Sequence, residues 1–191
     1  QVGGNLFHSF GQFGLSSGES ATFSGPATVT NVIGWVTGGS QSSINGAINS
    51  TIAGANVYLI NPAGFVFGPN ATVNVSGAFH AASADYLKLS DGARFQATNP
   101  DASTLSAAPP AAFGFLGATP GAITVNGAQL GVGQGQALDV AGGTIAVAGG
   151  TLQAPGGTVR LLGVAGAGEA PVDPWNTAAQ TVTQRAPVSL T

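Results

Sequence analysis

The chain has 191 residues, only 6% of them charged, with a formal net charge of -3. Four basic residues cannot neutralise a useful run of phosphates, which argues against nucleic acid as a partner, and the absence of cysteine excludes disulfides and thiolate metal sites. The longest apolar runs, such as Val57–Ile60, fall far short of the roughly 20 residues of a membrane helix, so no transmembrane segment is expected.

Glycine accounts for 31 residues, so hardly any window of a dozen escapes one, and each costs a helix interior about 1 kcal/mol relative to Ala. Short runs of Val, Ile, Thr and Phe bounded by Gly or Asn read as strands instead, and the expected class is all-β. Methionine is absent, and no basic stretch followed by an apolar one stands at Gln1. The expectation is a processed N-terminus.

In chain order, residues 1–30 place Phe7, Phe10, Phe13, Leu15 and Phe23 in a Gly- and Ser-rich setting suited to an N-terminal cap. Residues 31–97, expected to form the first coils, hold the strand-like runs Val57–Ile60, Phe65–Phe67 and Thr72–Val75. They are separated by Asn61-Pro62-Ala63-Gly64 and Gly68-Pro69-Asn70, where Pro fixes φ and Gly or Asn accepts a left-handed corner. Residues 98–121, with Asn99-Pro100, Pro109-Pro110 and Thr119-Pro120, read as an irregular excursion tethered by Phe113-Gly114-Phe115-Leu116.

Residues 122–170 carry a period. Runs begin at Thr144, Thr151 and Thr158, punctuated by Gly142-Gly143, Gly149-Gly150 and Gly156-Gly157 at the same step of seven. Three such sides make a coil of about 21 residues, the economy of a parallel β-solenoid. Equivalent sides then stack ~4.8 Å apart, which pairs Ile123 with Thr144 and Leu138 with Val159. Alternation turns Ile145, Val147, Leu152, Val159 and Leu161 inward, and Thr and Arg160 outward. The domain is expected to span 1–170, with 171–191 a Pro-rich linker or the start of a further body.

Catalytic chemistry is sparse. His8 and His80 are the only histidines, and no Gly-x-Ser-x-Gly nucleophile turn appears. The seven acids (Glu19, Asp85, Asp91, Asp101, Asp139, Glu169, Asp173) are scattered, whereas glycoside hydrolysis needs converging carboxylates and calcium several oxygen ligands. Asp85 and Asp91 beside Lys88 and Arg94 suggest a surface ion-pair patch. Trp35 and Tyr86 read as packing residues, with carbohydrate stacking the sharper alternative. No catalytic residue, metal or cofactor is assigned.

Several motifs together resemble the N-terminal domain of the filamentous haemagglutinin family of two-partner-secretion exoproteins. They are Gly3-Gly4-Asn5-Leu6-Phe7-His8-Ser9-Phe10, Asn31-Val32-Ile33-Gly34-Trp35-Val36-Thr37-Gly38-Gly39, Ser43-Ile44-Asn45-Gly46, and the run from Gly54 to Gly64. Phe67-Gly68-Pro69-Asn70-Ala71, Ala84-Asp85-Tyr86-Leu87 and Asp91-Gly92-Ala93-Arg94-Phe95 extend the match. The family's Asn-Pro-Asn-Gly motif appears here with Ala63 at its third position, and its Asn-Pro-Asn-Leu motif has no counterpart.

The resemblance implies a right-handed parallel β-helix with an N-terminal cap and extra-helical β elements. It implies an export signal recognised by the periplasmic POTRA repeats of a TpsB-type outer-membrane transporter. The chain would cross the periplasm unfolded and fold at the cell surface of a Gram-negative bacterium, or be released. The secretion-motif positions it marks are Asn31, Asn56, Asn61, Pro62, Gly64, Phe65 and Asn70. An adhesive or carbohydrate-binding β-helix is the alternative, and it calls for a row of solvent-facing aromatics. A monomer is expected.

Overall fold

In the computed structural model, which describes residues 1–191, the chain winds into a solenoid of about six turns. The first turn supplies β1 (Asn5–Phe10), an isolated bridge from Leu15 to Ile44, and β2 (Ser20–Phe23). The second turn is β3 (Asn31–Val36), β4 (Ser42–Ile44) and β5 (Ala47–Ser50); the third is β6 (Asn56–Ile60), β7 (Phe65–Phe67) and β8 (Thr72–Asn74).

The fourth turn opens with β9 (Phe79–Ala82) and is then interrupted. There β10 (Tyr86–Leu89), β11 (Arg94–Gln96) and β12 (Pro110–Phe115) leave the solenoid before β13 (Ile123–Asn126) and β14 (Gln129–Gly131) complete the turn. The fifth turn, β15 (Ala137–Gly142), β16 (Ile145–Ala148) and β17 (Thr151–Gln153), is uninterrupted. The sixth starts with β18 (Thr158–Gly163), sends out β19 (Gly168–Pro171) and returns as β20 (Val188–Leu190).

Three parallel sheets result. The first runs β1-β3-β6-β9-β15-β18, the second β20-β16-β13-β7-β4 and the third β17-β14-β8-β5-β2. A fourth, antiparallel sheet, β11-β10-β12-β19, lies outside the solenoid. No helix is long and apolar enough to cross a membrane.

The expected rung Leu138–Val159 is present, but Ile123 pairs with Ile145 and not with Thr144. Ile123 and Ile145 are both buried while Thr144 is exposed, and a one-residue slip would turn every inward side chain of that strand outward. The rung step between these coils is therefore 22 residues from β13 to β16 and from β14 to β17, and 21 from β15 to β18. Gly156 takes a φ of +61, and a Cβ on Gly157 would stand 1.9 Å from the Gln136 carbonyl oxygen. One glycine of the pair turns the corner and the other allows the coils to touch.

Two apolar clusters hold the molecule. The solenoid interior gathers Phe65, Phe67, Phe79, Ile44, Ile48, Ile123 and Val140 with their neighbours on adjacent coils. Leu6, Phe10, Phe13 and Leu15 of the first turn pack against this core, so residues 1–30 build their part of the fold as a coil. Ile145 and Val147 are buried as expected, but Val159 is 41% exposed and Leu152 and Leu161 are half-buried. These three line a depression with Val147 and Leu190 at the face of the last coil, inward-pointing but covered on one side only.

The second cluster lies on the outer face of the first sheet. Ile33, Trp35, Tyr58 and Ile60 project there and are covered by Leu87, Leu89, Phe95, Phe113 and Phe115 of the extra-helical sheet. The excursion thus begins after Ala82, earlier than the boundary at 98 expected from its prolines, because β10 and β11 belong to it. Phe113 and Phe115 act as its apolar tether, whereas Leu116 is exposed. The tail beyond 170 is not wholly separate from the fold, since Val188–Leu190 pairs with β16.

Candidate secretion motif and its surroundings

The motif asparagines form ladders. Asn5, Asn31 and Asn56 stand in register at the starts of β1, β3 and β6. Asn31 Nδ2 donates to Asn5 Oδ1 at 2.9 Å, and Asn56 Nδ2 donates to Asn31 Oδ1 at 3.2 Å. The ladder is closed at both ends: Asn56 Oδ1 accepts from the Ala78 N–H, and Asn5 Nδ2 donates to the carbonyls of Ser106 and Ala108. An asparagine suits this position because its amide donates to one coil and accepts from the next.

Asn61, Pro62, Ala63 and Gly64 form the corner between β6 and β7. Asn61 is fully buried; its Nδ2 donates to the Ser40 carbonyl and to Ser42 Oγ, each at 2.9 Å, while its Oδ1 accepts from the Ala63 N–H. The Gly64 N–H donates to the Asn61 carbonyl, closing the turn. Gly64 has a φ of +92, and a Cβ there would stand 2.1 Å from the Ala122 carbonyl oxygen. The third position makes its turn contact through backbone N–H, which Ala63 supplies as well as Asn would. Phe65 follows, buried in the interior and paired with Ser42 and Ile123 on the coils either side.

Asn70 is exposed. Its backbone N–H and Nδ2 both donate to Asn45 Oδ1, at 3.0 and 3.2 Å. Of the seven motif positions, Asn31, Asn61, Gly64 and Phe65 are buried, Asn56 and Pro62 are half-buried, and Asn70 alone lies open. The structure gathers Asn61 to Phe65 at one corner, while Asn31 and Asn56 belong to the ladder and Asn70 to the next corner.

The charged residues take a different arrangement from the expected patch. Lys88 and Arg94 pair with Glu169, at 2.8 and 3.4 Å, and not with Asp85 or Asp91. Asp85 accepts from the Leu116 N–H and Asp91 from the Ala93 N–H, so both carboxylates are taken by backbone N–H groups. Glu169 also accepts from the Tyr86 hydroxyl at 2.9 Å. Burial raises the Glu169 pKa, but its bonds from Lys88 and Tyr86 and the charges of Lys88 and Arg94 outweigh that, leaving the carboxyl below its ordinary 4.5. Burial and the bond to Glu169 push Tyr86 up to about 12.

A second cluster was not foreseen. Tyr58, His80, Asp139 and Arg160 occupy one column across four turns on the outer face of the first sheet. The rings of Tyr58 and His80 stack 4.3 Å apart, and His80 Nδ1 lies 3.3 Å from Asp139 Oδ2. Arg160 Nε donates to Asp139 Oδ1 at 2.7 Å, and its Nη2 donates to Asp139 Oδ2. Burial opposes ionisation of Asp139, yet the bonds from Arg160 and His80 hold its carboxyl below the usual range. The signal was present: the 21-residue step that pairs Leu138 with Val159 pairs Asp139 with Arg160 as well.

The remaining candidates are structural. His8 packs beside Phe10 and Phe23, and burial together with the N-terminal charge lowers its pKa. Trp35 stacks on Phe95 at 3.6 Å and, like Tyr86, is buried. Trp175 is the one aromatic among the exposed large apolar residues, so the aromatic row required of a carbohydrate-binding face does not form. No three His, Cys, Asp or Glu side chains stand close enough to hold a metal.

A sequence model of the TPS secretion domain family matches residues 1–184. The chain is a TPS secretion domain. Comparison with curated proteins and with solved structures gives no match. The chain belongs, on this family, to the N-terminal part of a two-partner-secretion exoprotein, exported by way of the periplasm with a TpsB-type transporter as its partner. The family is one of secretion domains and not a known enzyme family.

Proposed function

We propose that this TPS domain is an export signal read in its extended form by the periplasmic POTRA repeats of the transporter, and that on reaching the Gram-negative cell surface it nucleates β-helix folding without any catalytic step. The observation that carries this reading is the fate of the motif. Six of its seven positions lose part or all of their solvent access on folding, and Asn31, Asn56 and Asn61 spend their amides on other coils. A recognition element of this kind is legible to a partner before folding and concealed afterwards.

The chemistry suits both halves of that account. A sparsely charged, β-prone chain without cysteine can be held by strand addition, through main-chain hydrogen bonds that ask little of its side chains. Once outside, each coil presents a strand edge on which the next can stack, so burial of coil after coil favours outward movement in the absence of ATP. Asn31, Asn56, Asn61, Pro62, Gly64, Phe65 and Asn70 are the residues assigned to recognition.

Secretion of the domain, with a signal peptide fused, tests this in Gram-negative cells with and without the cognate barrel. Appearance in the medium only with the barrel is the expected result. Retention in the periplasm with a verified, folded barrel would overturn the reading.

A further inference from the structure

Charge is scarce in this protein, which makes its placement informative. Three of the four basic residues, Lys88, Arg94 and Arg160, converge on one four-residue strand and its surroundings. That strand is β19, thrown out from the sixth turn. Its Glu169 is gripped by Lys88, Arg94 and the Tyr86 hydroxyl, all from β10 and β11. Two residues on, the Pro171 carbonyl accepts from Arg160 Nη1 at 2.7 Å. One guanidinium thus joins Asp139 of the fifth turn, its own position in the sixth, and the edge of the extra-helical sheet.

Asp139 is 3% exposed, and its other neighbour is His80 of the fourth turn. A carboxylate so placed is costly to bury unless it is paired and hydrogen-bonded, and both needs are met chiefly by Arg160. Arginine fits because its planar fork can hold a carboxylate with two N–H groups and still point a third at a carbonyl. Lysine, a point charge, can neutralise Asp139 but lacks the reach to bridge in two directions at once.

We propose that Arg160 is a closing latch, coupling completion of the sixth turn to docking of the extra-helical sheet so that the two form in one cooperative step. Until β18 lies beside β15, Asp139 has no guanidinium and the Pro171 carbonyl of β19 has no donor from the solenoid. Once β18 is in place, the same side chain satisfies both, and the flap formed by β10, β11 and β12 is pinned from its far edge. The latch is a property of the folded chain and does not depend on how the chain is exported.

Hydrogen exchange by mass spectrometry on the full domain tests this. In Arg160→Met, amides of β12 and β19 are expected to exchange faster by on the order of 100-fold, the scale of a broken buried ion pair, while β3 and β6 keep their protection. Arg160→Lys separates charge from bridging: β15 and β18 stay protected while β19 exchanges on the order of 10-fold faster. Should Arg160→Met fail to fold, the double variant Asp139→Leu/Arg160→Met leaves no buried charge and is expected to keep its coils with β19 loosened. Unchanged protection of β12 and β19 in a folded variant would overturn the latch, as would a uniform rise across all six turns.

Discussion

The solenoid interior and the flank of its first sheet are both made of short strands, yet they are held together differently. Inside, phenylalanine and branched aliphatic side chains stack from coil to coil, and on the outward faces of the same coils asparagine amides pair with asparagine amides. On the flank, the same apolar kinds of residue are joined by Asp139, Arg160, Glu169, Lys88 and Arg94. The difference follows from repetition. A coil supplies its own partner, since whatever stands at one position meets a similar position one rung away. The excursion has no repeat to meet, so its orientation rests on directional contacts between unlike groups. Ladders give register; charges give placement.

Substitutions can break either arrangement selectively. The largest effect is expected from Phe65→Ala, which empties a fully buried site shared by three coils and costs about 3–5 kcal/mol in chemical unfolding of the whole domain. Phe113→Ala removes a ring that is equally buried, but exchange measurements should find its damage concentrated in β10 to β12 and not in β3 to β7. Next in size is Gly64→Ala, where a positive φ and a Cβ aimed at the Ala122 carbonyl together cost about 3 kcal/mol, read from the urea midpoint. Asn31→Ala leaves Asn5 and Asn56 each short of a partner and is expected to cost about 1–3 kcal/mol.

Acid sharpens the comparison further. The folded Glu169 carboxyl has a depressed pKa, so its contribution is present above the unfolded value of about 4.5 and is lost as pH falls through the lower, folded one. Exchange measured from pH 7 down to below pH 4, corrected for intrinsic rates, should therefore loosen β19 before the coils, and Glu169→Gln should remove that difference. The smallest effect belongs to Lys88→Ala, a partly exposed pair worth about 0–1 kcal/mol.

Sequence and structure agree where the repeat is regular. The glycine-punctuated step of seven gave the solenoid and the Leu138–Val159 rung, because a strand that alternates its faces leaves little freedom of register. It missed by one residue at Ile123, where the chain re-enters the coil after a long excursion and no periodicity carries across. For the same reason nothing in the sequence separates β10 and β11 from the coils before them, and Lys88 and Arg94 find their partner not in a nearby acid but in Glu169, some eighty residues on. The candidate motif residues are visible in the sequence, but their ladders are not. Asn5, Asn31 and Asn56 are separated by 26 and 25 residues, a longer step than the later coils show.

Binding to the isolated POTRA repeats decides whether the motif is read before or after folding. Wild-type domain, folded, would be compared with Val57→Asp, in which a carboxylate at a fully buried site keeps the chain unfolded while all seven candidate recognition positions stay as they are. Binding of the unfolded variant at least 10-fold tighter than that of the folded domain, and its loss when Asn61 and Asn70 are also replaced by Ala, is the expected result. Equal or tighter binding by the folded wild type would contradict it, and would place recognition on the finished surface.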